Sequence, residues 1–151
     1  LQDYAKQAES SSRGALLLAV VGGKLSEGIN FANRLCRCVV VVGLPYADKS
    51  DPVLQEKLQY LDSSNYYQAL CLRAVNQSVG RAIRHATDYA AIVLMDTRYP
   101  SDSGIANGLP QWLTSSNPTW RKQTGTLDSV VNQLRLFFQN PKFQNDTKDY
   151  Q

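Results

Sequence analysis

Two arginines and a glutamine carry the densest chemistry in the chain. In Q-S-V-G-R-A-I-R, residues 77–84, Gln77, Arg81 and Arg84 are spaced i, i+4 and i+7. At about 100° per residue that spacing aligns them along one stripe of a helix. Leu72, Val75, Val79 and Ile83 form an apolar stripe roughly opposite, the face that would pack on a sheet. Two permanently charged planar forks a turn apart suit the oxygens of a polyphosphate. An arginine inserted at a transferring phosphoryl group speeds the step by about a thousandfold or more, and Gln77 would then hold the attacking water or a phosphate oxygen. A solvated basic helix face has the same spacing, so spacing alone leaves both readings open. Gly80 falls inside the expected helix, where glycine costs about 1 kcal/mol against alanine; close approach of another backbone or a ligand would account for it.

A second constellation lies in G-G-K-L-S-E-G-I-N-F, residues 22–31. Gly22, Gly23 and Gly28 would let backbone amides approach a phosphate or sugar. Lys24 and Ser26 could touch a nucleic-acid backbone, and Glu27 and Asn30 could receive a ribose hydroxyl or a water. A plain strand-to-helix turn with Ser26 as its cap fits equally well. The G-G-K triplet is not a phosphate-binding P-loop, because that motif needs glycine where Leu18 stands and serine or threonine where Leu25 stands.

The elements that must hold these groups alternate in type. Residues 15–21 (A-L-L-L-A-V-V), 38–44 (C-V-V-V-V-G-L) and 90–95 (A-A-I-V-L-M) read as three buried strands of a parallel sheet. Residues 1–12 read as the end of a helix. Residues 53–61 have helical spacing behind Asp51-Pro52, and a long helix is expected over 66–84 with Asn65 as cap. Residues 101–108 read as a Gly/Ser/Asp loop, 109–113 as a turn or short helix, 127–139 as an amphipathic helix and 140–151 as a frayed tail. Strands alternating with helices predict an α/β layered fold. Ligands of such sheets collect beyond the carboxyl ends of the strands, and Gln77, Arg81 and Arg84 are expected to face outward over that rim.

The chain has 151 residues, room for one domain and little room for two. Hydrophobic residues at 43% and charged residues at 19% are ordinary for a soluble globular protein. The net charge of +3 and pI near 8.8 are compatible with a phosphate-rich partner without identifying one. Cys36, Cys38 and Cys71 include no C-x-x-C pair, and the single His85 makes no metal site, so reduced structural thiols and no metal are expected. No signal peptide is evident, and the apolar run 39–44, like 15–21, is far too short for a bilayer. An intracellular chain, cytoplasmic or nuclear, is expected.

These segments also carry a family resemblance. V-V-G-G-K-L-S-E-G-I-N-F (20–31) resembles helicase motif V, and Q-S-V-G-R-A-I-R-H (77–85) resembles motif VI. The block between them, V-V-V-V-G-L-P-Y-A-D-K-S-D-P-V-L-Q-E-K-L-Q-Y-L-D (39–62), resembles the XPD-like iron–sulfur superfamily 2 DNA helicases. It is most similar to the eukaryotic chromosome-loss (ChlR-type) group. D-Y-A-A-I-V-L-M-D-T-R-Y (88–99) resembles the strand after motif VI, and L-P-Q-W-L (109–113) with L-F-F (136–138) resembles the closing helices.

The resemblance implies a RecA-like parallel sheet flanked by helices, a partial P-loop NTPase-type domain. Residues 1–151 would form the C-terminal part of the second RecA-like helicase domain, with motif V at about 22–31, motif VI at about 77–84 and closing helices at about 109–140. It implies an ATP-driven DNA helicase whose ATP lies between two RecA-like domains. The first domain would supply the phosphate-binding loop, the Mg²⁺-binding acids and an iron–sulfur insertion that this chain does not bind. Carried over, Arg84 is the arginine finger, Arg81 a second γ-phosphate contact and Gln77 a neighbour of the γ-phosphate or water. Gly28 and Asn30 lie near the ATP sugar or water, Glu27 links the two sites, and Lys24 and Ser26 lie near the DNA backbone. Asn30 stands where many related motors have aspartate, and Ala47 where the family often has proline. Implied partners are single-stranded or forked DNA and the first RecA-like domain, with no membrane. The implied setting is the nucleus, in DNA repair and sister-chromatid cohesion.

Nothing here matches the first domain's motifs, so a fragment or partial gene product, inactive alone, is expected. The alternatives are a non-hydrolysing DNA- or protein-binding fragment, favoured by the basic balance and the missing phosphate-binding loop, and an inert, poorly folding remnant.

Overall fold

The computed structural model describes residues 2–10, 14–23, 31, 33–61, 63–83, 88–114 and 125–144. It divides into two compact units, Leu1–Gln111 and Trp112–Gln151. The first contains helix α1 (Gln2–Ser10), a 3-10 turn (Asn33–Leu35), strand β1 (Cys38–Val42), helices α2 (Pro52–Tyr60) and α3 (Ser63–Val79), and strand β2 (Ala91–Met95). The short helices α4 (Arg98–Ser101) and α5 (Ser103–Asn107) follow. Helix α6 (Gln111–Thr114) spans the division. The second unit then has α7 (Leu127–Phe138) and α8 (Pro141–Gln144).

β1 and β2 pair in parallel, in register from Cys38 opposite Ala91 to Val42 opposite Met95. The α/β class and two of the three expected strands therefore stand. The third does not: residues 14–20 have no regular secondary structure, and Leu16, Leu18 and Val20 are 82%, 80% and 80% exposed. A strand exists through the ladder it joins, and among the described residues only β1 and β2 pair. Burial is also one-sided. Val41 is 3% exposed on the face that α3 packs against, whereas Val40 and Val42 are 48% and 78% exposed on the other. The expectation of strands covered on both faces fails there.

Local chemistry sets most helix bounds. Asp51 caps α2 by accepting from Leu54 N at 2.9 Å, and Pro52 fills the first turn, where its missing N–H costs nothing. Leu72, Val75 and Val79 are buried as the apolar stripe requires, with Cys71 and Ala82 beside them, but Ile83 lies past the helix and is exposed. α3 begins at Ser63, ahead of the expected Asn65 cap, and ends at Val79 instead of running to Arg84. Gly80 therefore sits at the helix end, where low helix propensity makes glycine a terminator. Its N–H still reaches Asn76 O at 2.9 Å, but Arg81 N and Ala82 N bond Ser78 O and Val79 O, the tighter i→i−3 pattern.

The expected 101–108 loop is instead two short helices. Asp102 N closes α4 on Arg98 O, while Asp102 Oδ1 caps α5 through Gly104 N and Ile105 N at 2.8 and 3.1 Å. Gly43, at φ 76, lets β1 leave the sheet while its N–H still bonds Met95 O at 3.0 Å. In the second unit Thr126 caps α7, and Phe137 meets Phe138 and Phe143 with ring centroids 5.1 and 4.8 Å apart. α8 occupies part of the expected frayed tail.

Gly104 in α5 and Gly108 at its end lie close against α3. A Cβ on Gly108 would collide with Leu72 Cδ1, and one on Gly104 would come within 2.8 Å of Gln68 Nε2. Gly108→Ala is therefore expected to destabilise the chain by about 1–3 kcal/mol through overpacking, read as a lower urea midpoint; an unchanged midpoint would contradict the seam.

Candidate functional site

Gln77 is the one sequence-predicted site residue that the helix itself presents. It lies in the last turn of α3, exposed, on the side away from the buried stripe. Arg81 follows in the turn beyond Gly80, half-buried. The two groups are thus carried by a helix and the tight turn that ends it, rather than by one continuous stripe. Arg84 lies outside the described residues, as do Lys24, Ser26, Glu27, Gly28 and Asn30. Gly22 and Gly23 form a turn, in which Gly23 N bonds Val20 O at 3.0 Å.

Gln77 also edges an open groove of about 570 Å³ lined by Ala69, Leu72, Arg73, Asn76 and Gly108 besides itself. Asn76 Nδ2 donates to Gly108 O at 3.2 Å, while its Oδ1 is buried without a hydrogen-bond partner among the described residues. Arg73 was not singled out from sequence. It is exposed, one turn before Gln77 on the same stripe, and extending the i, i+4 series backwards would have found it. Guanidinium and amide donors on this face can bind phosphate oxygens or orient a water.

Gln77 and Arg81 do not lie at the carboxyl rim. Tyr67, near the start of α3, stacks on Tyr46 just beyond β1 with centroids 5.0 Å apart. α3 must then run back along the sheet to feed a parallel β2. Gln77, ten residues on, is displaced by about 15 Å along the helix axis, toward the amino-terminal edge. The rim rule concerns ligands held by the sheet's own loops; it does not govern a group offered to a ligand held elsewhere.

What occupies the rim is a self-contained cluster that sequence did not reveal. Lys49 Nζ lies 4.8 Å from the Tyr67 centroid and Arg98 Cζ 5.6 Å from that of Tyr46, so cations flank the stack on both sides. Arg98 grips Asp96 as a fork, Nε to Oδ1 at 2.8 Å and Nη2 to Oδ2 at 2.7 Å. That pairing holds the Asp96 carboxyl down to about 2 and raises the guanidinium above its ordinary value. Burial, with Cys71 adding to it, pushes the Tyr99 hydroxyl up to about 12, and it donates to Gly43 O at 3.3 Å. Burial likewise raises the Cys71 thiol. None of the three cysteines is in a disulfide.

The helicase C-terminal domain family matches residues 1–116. The ATP-dependent DNA helicase DDX11 of Danio rerio is 47% identical over 136 residues, covering 79% of this chain and 15% of that protein. The ATP-dependent DNA helicase chl-1 of Caenorhabditis elegans is 50% identical over 107 residues, 67% of this chain and 13% of its own length. The ATP-dependent DNA helicase chl1 of Schizosaccharomyces pombe is 38% identical over 156 residues, 93% of this chain and 18% of that protein. The chain thus spans less than a fifth of each of these relatives.

Because the folded carboxyl of Asp96 lies below its ordinary value, its contribution to stability is full above the ordinary carboxylate range and is lost as pH falls toward 2. Carboxyl-resolved NMR should find Asp96 titrating at about 2, and Arg98→Met should return it to the ordinary carboxylate range. An unshifted Asp96 in the unaltered chain would contradict the fork.

Proposed function

The chain belongs to the helicase C-terminal domain family, and on that footing we propose that it forms the later part of the second RecA-like domain of an ATP-dependent DNA helicase of the chromosome-loss type. Within it, motif V would span about 22–31, motif VI about 77–84 and the closing helices about 109–140. Its contribution is arginines offered to a nucleotide that another domain cradles. The observation that supports this is the exposed Gln77 in the last turn of α3, opposite a buried stripe, with Arg81 half-buried in the turn just beyond, in a sequence without a G-x-x-x-x-G-K-[ST] motif.

In this mechanism ATP is the substrate and supplies the phosphoryl group. Arg84 and Arg81 neutralise charge that grows on the γ-phosphoryl oxygens, and Gln77 holds the water or an oxygen in line. Gly28 and Asn30 meet the sugar or water, Glu27 couples the two sites, and Lys24 and Ser26 hold the DNA backbone. The relatives' names support ATP use and DNA as the polymer acted on. Single-stranded or forked DNA, the first RecA-like domain as partner, and a nuclear place in DNA repair and sister-chromatid cohesion complete the proposal.

Metal chemistry does not fit the described residues. No three His, Cys, Asp or Glu side chains among them gather to hold an ion. On this reading Mg²⁺ and an iron–sulfur cluster would be held by other parts of the helicase. No helix among the described residues is long and apolar enough to cross a membrane.

In the intact helicase, Arg84→Ala is expected to cut ATP turnover at least about a hundredfold while cooperative melting survives. Turnover like the unaltered enzyme's would remove the finger role. The chain by itself is expected to show no useful ATP hydrolysis. A salt-dependent single-strand affinity alongside an intact helicase indifferent to Arg84→Ala would favour a non-hydrolysing binding fragment instead.

A further inference from the structure

One cation of α3 is left without an acid. Arg73 is exposed and has no ion pair or hydrogen bond among the described residues. It lines the open groove of about 570 Å³ together with Ala69, Leu72, Asn76, Gln77 and Gly108, none of which carries a charge. The groove is preformed. Asn76 Nδ2 donates to Gly108 O at 3.2 Å, and Gly108 lies too close to Leu72 Cδ1 to leave room for a side chain. A wall already fixed spares an incoming group the cost of ordering it.

A guanidinium beside an apolar wall fits a carboxylate carried on a polypeptide, which the planar fork grips through two parallel hydrogen bonds. Nucleic acid fits less well. A strand is tracked by a row of cations and by stacking rings, and this groove has one cation and no ring. A groove of this size offers only part of the area that a freely diffusing protein partner needs. Tethering removes that shortfall, because a linked segment is present at an effective concentration on the order of millimolar. The relatives described above have most of their length outside the matched region. We propose that the groove docks an acidic segment of the same helicase from outside residues 1–151. That segment sets an Asp or Glu carboxylate on Arg73 and an aliphatic side chain against Ala69 and Leu72. The inference rests on the chain's being part of a larger helicase and not on the finger role of Arg84.

The test uses the intact helicase. Arg73→Gln removes the charge and Arg73→Glu reverses it. The position is exposed, so cooperative melting is expected to survive both changes. In Arg73→Glu, backbone-amide hydrogen exchange of one Asp- or Glu-bearing segment outside residues 1–151 is expected to speed up at least about tenfold, and by less in Arg73→Gln. Replacing that segment's acid by Lys in the Arg73→Glu background is expected to restore slow exchange, a rescue that general loss of structure would not give. Unchanged exchange outside residues 1–151 in both variants, or failure of the rescue, would overturn the docking. So would loss of cooperative melting in both variants, since Arg73 would then hold the fold itself. Protection that appears only with added oligothymidylate would mark a nucleic-acid contact, and protection that vanishes on dilution a second copy; either overturns the proposal. All of these results leave the motor reading in place, which Arg84→Ala tests separately through ATP turnover.

Discussion

Two parallel strands cannot be joined by a tight turn; the chain must travel back the length of the sheet before the second can start. Everything in the first unit follows from that requirement between β1 and β2. α2 and α3 make the return, and α3 packs its buried stripe of Leu72, Val75 and Val79 beneath the strands. The crossover carries its first turns to the carboxyl rim and its last toward the opposite edge. It thereby separates two chemistries: a rim closed over by its own aromatic and charged side chains, and a far stretch of α3 that exposes the Arg73 guanidinium and the Gln77 amide.

The two ion pairs at these edges differ in weight. Arg98 and Asp96 form the better fork, but Arg98 is 49% exposed, and water screens such a pair so that it contributes little. The Asp88 carboxylate, bound by Arg37 Nη1 at 2.7 Å, has no exposure to water, and removing one partner of a buried pair costs about 3–5 kcal/mol, an upper bound here because Arg37 is partly wet. The edge at which β2 begins is thus the more firmly locked. The glycine seam of α5 on α3 acts in the same direction, holding Gly108 O in reach of Asn76 and defining one wall of the groove beside Gln77.

Features written in neighbouring residues were legible in sequence. Asp51 with Pro52 announced α2, runs of β-branched residues announced β1 and β2, and amphipathic spacing announced α7. Features that need distant partners were not. Residues 15–21 have the composition of a buried strand but no ladder to join among the described residues. Apolar periodicity ran on through Ile83, whereas Gly80 and two i→i−3 bonds ended the helix. Ser, Asp and Gly at 101–108 read as a loop because the same residues that break helices also cap them. Gln77 and Arg81 were legible as candidates, and their distance from the rim was not, since it depends on the direction of the crossover. Arg37 gave no local sign, because its partners lie half the unit away.

The central claim is that the arginines of motif VI act on the transition state of a nucleotide held by another domain. Transition-state stabilisation is read most directly by comparing ADP with ADP–aluminium fluoride, a mimic of the transferring phosphoryl group, in the intact helicase and in its Arg81→Ala/Arg84→Ala variant. The variant is expected to lose at least about a hundredfold in affinity for the mimic while its affinity for ADP stays unchanged. Equal losses for both ligands, or none for either, would contradict the account.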